Sequence, residues 1–189
     1  MNNNILIIPN EKYEDVLSPL AVEIHFFQHH KKYLSNLLIL CESFNIIAPN
    51  NMKSLKEFAI KYKNNNISLY NNAAQIMNHN IFWETMNDKQ NNNDTKRFLN
   101  EKHNFTEEFR TAANKSFGSM WIWLVFIDNQ FKVVSTENAH FPAGELILNL
   151  DLWEHSFYVD YYSKKSDFIE NFIENGINWD LVAKKISLF

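Results

Sequence analysis

Three histidines and one aspartate, drawn from three distant stretches, are the residues of this chain best suited to chemistry. His25 opens the run His25-x3-His29-His30, and His79 closes Asn71-Asn72-Ala73-Ala74-Gln75-Ile76-Met77-Asn78-His79. Asp151 and His155 bracket Asp151-Leu152-Trp153-Glu154-His155. Three imidazoles and a carboxylate make a nitrogen-rich donor set with one oxygen, suited to a redox-active first-row metal and therefore to electron chemistry. Cys41 is the single cysteine, so neither a cysteine zinc site nor an iron–sulfur cluster can form. The sequence offers no separate general base beside the set, which disfavours metal-assisted hydrolysis.

Spacing refines this set without settling it. Gln75 and His79 are four apart and share one helix face, so one can bind and the other adjust. Asp151 and His155 have the same spacing, but Asp151 follows a strand-like run, so a strand-to-turn arrangement competes with a helical one. His25 and His29 repeat the spacing on a long helix, and spacing alone makes both of them ligands. A lone histidine on an apolar helix is more often a hydrogen-bonded core residue, and Trp83, Trp121, Trp123 and Trp153 are more often core fillers. The joint occurrence of the set in an aromatic setting favours a metal. His103, between Lys102 and Asn104, reads as solvated, and neither it nor His140 reads as a ligand.

The elements that must position these residues divide the chain in two. Leu20, Ile24, Phe27, Leu34, Leu37, Leu38 and Cys41 recur at helical spacing and predict a long helix from about Leu17 to Phe44. Ser54-Leu55-Lys56-Glu57 has a capping-box pattern opening a short second helix, and Leu69 to Trp83 or Met86 trace a third. The polar stretch around Asp88 to Lys96 is the expected boundary. Beyond it, Thr106 is the expected cap of a helix ended by Gly118. Trp121–Ile127 and Phe131–Val134 flank Asp128-Asn129-Gln130 as an antiparallel hairpin, and Glu145–Leu150 reads as a third strand. Helices near Asp167 to Glu174 and Trp179 to Leu188, the latter capped by Asn178, complete the chain. The expectation is an α+β protein: a helical hairpin domain at 1–88, then a domain at 89–189 with a three-stranded antiparallel sheet and flanking helices, the metal site lying between them. With only Gly118, Gly144 and Gly176 available, asparagines are expected at left-handed positions.

The 189 residues, 46% hydrophobic and 15% aromatic, supply a sizeable core without disulfides. A net charge of −4 without a basic cluster argues against nucleic-acid binding. No run approaches the roughly 20 apolar residues of a membrane span. The amino-terminal stretch lacks a basic start and a signal core, and the expected location is cytoplasmic, with the mitochondrial matrix as alternative.

At these same residues the chain resembles the iron/manganese superoxide dismutase family. Asp151-x-Trp153-Glu154-His155 with Phe157-Tyr158-Val159-Asp160-Tyr161 resembles the family signature. Asn71-Asn72-Ala73-Ala74-Gln75-x-x-Asn78-His79, Phe117-Gly118-Ser119-x-Trp121-x-Trp123 and His29-His30-x-x-Tyr33 follow the expected order. The resemblance implies that His25, His79, Asp151 and His155 bind one Fe, alternatively Mn, per chain, with solvent in the fifth position. It implies catalytic roles for Tyr33, Gln75, His29 and Trp121, with His29 and Tyr33 at the substrate entrance rather than on the metal. It further implies a homodimer in which Tyr158 of one subunit holds His29 of the other and Glu154 reaches the other subunit's His155. Gln75 on the Asn-Asn-Ala-Ala-Gln helix is similar to iron-type members; manganese-type members carry that glutamine at the position of Ala139. The implied activity is conversion of superoxide to O2 and hydrogen peroxide, an antioxidant role.

The chain departs from the family pattern at its charged entrance. Gln28 stands where a basic residue is usual, and Tyr162-Ser163-Lys164-Lys165 replaces an Arg-x-x-Arg stretch. Phe27, Met120 and His140 replace smaller residues. These changes predict slower, more salt-sensitive turnover. The competing reading is a catalytically weakened dimeric relative with a structural metal, against which stand Gln75 and Tyr33, groups a structural site does not need.

Overall fold

Apolar residues at helical spacing build the first half of the computed structural model, which describes residues 5–9, 13, 15–86 and 93–189. Ser18 caps α1 (Pro19–Glu23), its hydroxyl accepting from Ala21 N–H at 3.2 Å, with Pro19 opening the first turn. The helix continues through a π-helical turn at Ile24–His30 into α2 (Lys31–Ser43). The expected long helix is thus present, but with one wide turn in which Lys31 N–H reaches the Phe26 carbonyl. That turn matters for the site. A uniform α-helix would rotate His30 about 140° from His25, whereas here both imidazoles are fully buried.

Helix α3 (Met52–Tyr62) begins earlier than the Ser54 capping box suggested. Asn51 is the cap, accepting from Ser54 N–H at 2.9 Å, and the Ser54 hydroxyl accepts from Asn51 N–H in return. Ser54 is therefore the reciprocating third residue of the box, not its first. Asn66 caps α4 (Ile67–Thr85), whose residues from Ala73 to Trp83 are all buried. Buried on every face over that stretch, α4 carries Gln75, Asn78, His79 and Asn80 into the interior and packs against α2, α3 and the sheet.

The second half opens with two helices where one was expected, α5 (Asn93–His103) and α6 (Phe105–Lys115). Only Thr95 and Leu99 of α5 are buried, too narrow a stripe to register as periodicity. Thr106 is not a cap, because α6 already includes Phe105; its N–H instead donates to Asn100 Oδ1 at 2.8 Å. Lys115, not Gly118, ends α6, and Gly118 takes φ +75° in the turn into the sheet. The domain boundary expected at 88/89 lies outside the described residues.

Strands β1 (Met120–Ile127), β2 (Gln130–Glu137) and β3 (Glu145–Asp151) form an antiparallel sheet in the order β2-β1-β3. Trp121 through Val125 are buried, as a central strand covered on both faces requires. Trp121 pairs with Asp151 and Trp123 with Asn149. Helices α7 (Glu154–Tyr161), α8 (Lys165–Asn171), a second π-helical turn at Phe172–Gly176, and α9 (Trp179–Ile186), capped by Asn178, follow. The α+β architecture and the three-stranded sheet are as expected. So is the use of asparagine for left-handed backbone, with positive φ at Asn45, Asn104, Asn129 and Asn138.

Candidate metal centre

Four elements converge on one point. The π-helical turn supplies His25, α4 supplies His79, the last residue of β3 supplies Asp151, and the first turn of α7 supplies His155. Asp151 and His155 therefore lie across a strand-to-helix junction. Asp151 Oδ2 stands 3.2 Å from His25 Nε2, 3.3 Å from His155 Nε2 and 3.6 Å from His79 Nε2. One ligand atom from each of the four lies within 4.8 Å of all the others.

None of these four atoms makes a hydrogen bond, although each is buried. Close approach without hydrogen-bond geometry is costly for four polar atoms unless a cation sits among them. The other polar atoms of the ligands are committed elsewhere in a way that fixes their aim. Asp151 Oδ1 accepts Trp153 N–H at 2.8 Å, leaving Oδ2 turned inward. His79 Nδ1 lies 2.8 Å from the Gln75 carbonyl, so Nδ1–H donates there and the Nε2 lone pair faces the centre. The Ser156 hydroxyl donates to the Asp151 carbonyl at 2.7 Å, locking the junction. The donor set fits a first-row transition ion.

Electrostatics agree. Burial drives the His25 imidazole down to about 4, against the pull of Asp151, and drives His79 well below the ordinary histidine range with His25 adding to the effect. Burial would raise the Asp151 carboxyl, yet the neighbouring His155 and His25 rings hold it well below the usual carboxylate range. Near neutrality His25 and His79 thus present neutral nitrogens and Asp151 a carboxylate, all able to accept a cation.

Around the ligands sits a second layer. The His79 ring has Trp121 edge-on at 5.1 Å, Tyr33 at 5.4 Å and His30 stacked at 5.2 Å. The Tyr33 phenol is pushed up to about 12, by burial first and by the Asp151 charge second, while the neighbouring Gln75 side chain pulls the other way. Gln75 is buried, with Oε1 unpartnered. His29 lies outside the ligand cluster: its ring stacks on His155 at 4.1 Å and is half-buried, and burial, then His155, lower it to about 4. Spacing alone makes His29 the equal of His25, and only His25 joins the donor cluster.

Glu154 and Tyr158 turn away from this interior. Both line an outer cleft with Phe117, Gly118, Trp153, Tyr162 and Lys165, reached by His155, whose side chain keeps 11% exposure. His140 is not part of the donor cluster, and its Nδ1 lies 2.8 Å from the Tyr70 hydroxyl. His103 packs edge-on to Phe131 at 5.4 Å and is half-buried, where a solvated ring was expected. Trp83, Trp121 and Trp123 are core residues as well as neighbours of the site.

Sequence reasoning missed the residues that hold the four elements together. Asn149 Nδ2 donates to the Asn78 carbonyl at 2.9 Å and Asn78 Nδ2 to the Ala139 carbonyl at 3.2 Å, tying the His79 helix to the Asp151 strand. Asp160 accepts both the N–H and the hydroxyl of Ser18, tying the His25 helix to the His155 helix. Nothing in the spacing of these residues signals such pairing.

Residues 9–87 match the family model described as iron/manganese superoxide dismutases, alpha-hairpin domain, and residues 87–185 match the C-terminal domain of the same family. The chain is 30% identical over 196 residues to a superoxide dismutase [Mn/Fe] of Rickettsia bellii (strain RML369-C), covering 96% of this chain and 93% of that protein. It is 35% identical over 173 residues to a superoxide dismutase [Fe] of Nostoc sp. (strain PCC 7120 / SAG 25.82 / UTEX 2576), covering 85% and 84%. It is 33% identical over 192 residues to a superoxide dismutase [Fe] of Leptolyngbya boryana, covering 92% and 94%. With both halves matched, relatives aligned over nearly their whole length and four donor atoms meeting at one point, the chain belongs to the iron/manganese superoxide dismutase family.

Proposed function

We propose that this protein is a superoxide dismutase of the iron type, acting as a homodimer and organised as a helical hairpin domain and an α/β domain divided near 88/89. The net reaction joins two superoxide anions and two protons to give O2 and hydrogen peroxide. A bound iron or manganese ion supplies the one-electron couple that accepts an electron from one anion and returns it to the next. His25, His79, Asp151 and His155 would hold it, the carboxylate offsetting part of its charge.

The remaining work falls to protein groups. The Tyr33 hydroxyl, kept protonated by burial, carries a proton beside the ligands, and the Gln75 amide orients that hydroxyl. His29 and Tyr33 stand over the buried ligands His155 and His79 and admit only a small substrate. Trp121 and Trp83 close the interior to bulk water. Gln75, in place of a glutamine at Ala139, favours iron.

The dimer reading rests on the outer cleft. Phe117 is 95% exposed, Tyr158 50% and Tyr162 66%, an aromatic face beside Glu154 and His155 that resembles an interface core. A copy seated there would bring its Tyr158 toward His29 and its Glu154 toward His155.

The observation that carries the proposal is the meeting of four unpartnered donor atoms beneath a Tyr33–Gln75 pair. Metal analysis and a superoxide-consumption assay on one preparation test it. His79→Ala should lose both metal and turnover, while Gln75→Ala should keep the metal and lose most turnover. A metal-replete dimer without superoxide-dependent turnover refutes it.

A further inference from the structure

Asn80 follows the ligand His79 on α4 and projects about 100° away from it around the helix. Its side chain is fully buried and holds a stretch of backbone. Oδ1 accepts the Ile7 N–H at 2.7 Å, and Nδ2 donates to the Ile5 carbonyl at 2.7 Å, with Met52 Sδ of α3 at 3.0 Å. A carbonyl and the N–H two residues on are the groups that one residue of a parallel strand engages. The Asn80 amide therefore stands in for a strand residue, a role that takes a donor and an acceptor on one planar group. Threonine offers a single atom for both roles, and leucine offers none.

The clamped stretch lies on a flank of α4 that also bears on His25. Ile5 is buried, and Leu6 and Ile7 pack against the core. Three residues beyond Asn80 on that flank, the Trp83 carbonyl accepts the Tyr13 hydroxyl at 2.8 Å, and the Trp83 ring meets the His25 ring edge-on at 4.7 Å. Phe82 covers His25 at 5.5 Å. His25 Nδ1 is buried with no hydrogen-bond partner among the described residues, unlike His79 Nδ1 on the Gln75 carbonyl. Packing, not a hydrogen bond, thus aims the His25 ring, and α4 supplies that packing.

We infer that Asn80 is a positioning residue of the metal centre: by clamping Ile5–Ile7 onto α4 it fixes the seat of that helix, and so the aim of His79 directly and of His25 through Trp83 and Phe82. The inference rests on the four donors holding a metal, as the dismutase reading has it, and not on turnover. His25, His79 and Asp151 are fully buried, so a bound ion leaves only when one of its supports opens. Local opening grows as the contacts that hold a segment weaken, and loss of the clamp therefore speeds release of the ion.

The test follows iron release to EDTA from the iron-loaded parent, Asn80→Leu, Asn80→Thr, Ile5→Asp and the double variant Asn80→Leu/Ile5→Asp. Ile169→Val, buried on α8, controls for a general loss of stability. Asn80→Leu and Ile5→Asp should each release iron about tenfold faster than the parent, and Asn80→Thr about threefold faster. The double variant should be no faster than either single one, because both break the same clamp. The rhombicity of the iron(III) EPR signal should shift in the clamp variants and stay at the parent value in the control, which a merely structural role for Asn80 would not produce. Should Asn80→Leu fail to fold, Asn80→Thr takes its place in the comparison and in the double variant. Parent-like release in the clamp variants, an equal acceleration in Ile169→Val, or additive effects in the double variant would overturn the inference. Iron held by the parent without superoxide turnover would refute the dismutase reading alone, and the release rates would still decide the clamp; a parent that binds no iron overturns both.

Discussion

Asp160→Ala should loosen the metal centre from a distance, because one carboxylate joins two of its four supports. Asp160 Oδ2 accepts Ser18 N–H at 2.7 Å and Oδ1 accepts the Ser18 hydroxyl at 2.6 Å. Ser18 caps the helix that leads to His25, and Asp160 lies on α7 beyond His155. A hydrogen bond to a charged acceptor contributes about 1.5–3 kcal/mol when buried, and partial burial places each of these near the low end. Alanine removes both, so about 2–3 kcal/mol of stability is lost. At about 2–4 °C per kcal/mol for a chain of this size, the melting temperature of the metal-free protein should fall by about 4–12 °C. Asp160→Asn can keep both bonds, its amide oxygen accepting the N–H and its amide nitrogen donating to the hydroxyl, and should cost about 1 kcal/mol. Ser18→Ala removes one bond and the helix cap, and in a double-mutant cycle with Asp160→Ala it should show a coupling of about 1 kcal/mol. Denaturant unfolding at fixed protein concentration measures these, and chelator competition measures the accompanying loss of metal affinity. Stability of Asp160→Ala within about 0.5 kcal/mol of the parent, or no coupling with Ser18, would refute the reasoning.

Other perturbations have equally definite outcomes. Gly144→Ala would place a Cβ 2.6 Å from the Phe126 carbonyl oxygen at φ +91°, and should destabilise by about 1–3 kcal/mol in thermal unfolding. Stripping the metal should lower the melting temperature reversibly, and refilling with metal at about 1,000 times its dissociation constant should restore about 4 kcal/mol. Phe117→Asp, on the most exposed aromatic of the outer cleft, should shift the protein toward monomer in sedimentation analysis without unfolding it.

The sequence alone fixed much about this protein. The types and order of His25, His79, Asp151 and His155 specified a redox-capable donor set, because ligand chemistry is a property of side chains and survives without coordinates. The helical and strand periods placed α4 and the sheet, because Leu69, Ala73, Ile76, Met77 and Trp83 recur at helical spacing and β1 is a continuous apolar run rich in β-branched and aromatic residues. Alpha-helix α5 escaped because only Thr95 and Leu99 face the core. The Asn51 cap escaped because Asn51 and Ser54 can each fill either role in a box, and only backbone φ tells which does.

What the tertiary structure alone decided is the selection among candidates. His29 and His25 are equal by spacing, and the π-helical turn makes one a buried donor and leaves the other stacked on His155. Asp151 could follow a strand or lie in a helix, and the register of β3 against Trp121 puts it at the junction, with Oδ1 tied to Trp153 N–H. The Asn78–Asn149 and Ser18–Asp160 ties span 71 and 142 residues. Local sequence sets what each residue can do within a turn or a strand, while contacts at such separations exist only once the whole chain has packed. Four orphaned donor atoms meet at one point for that reason.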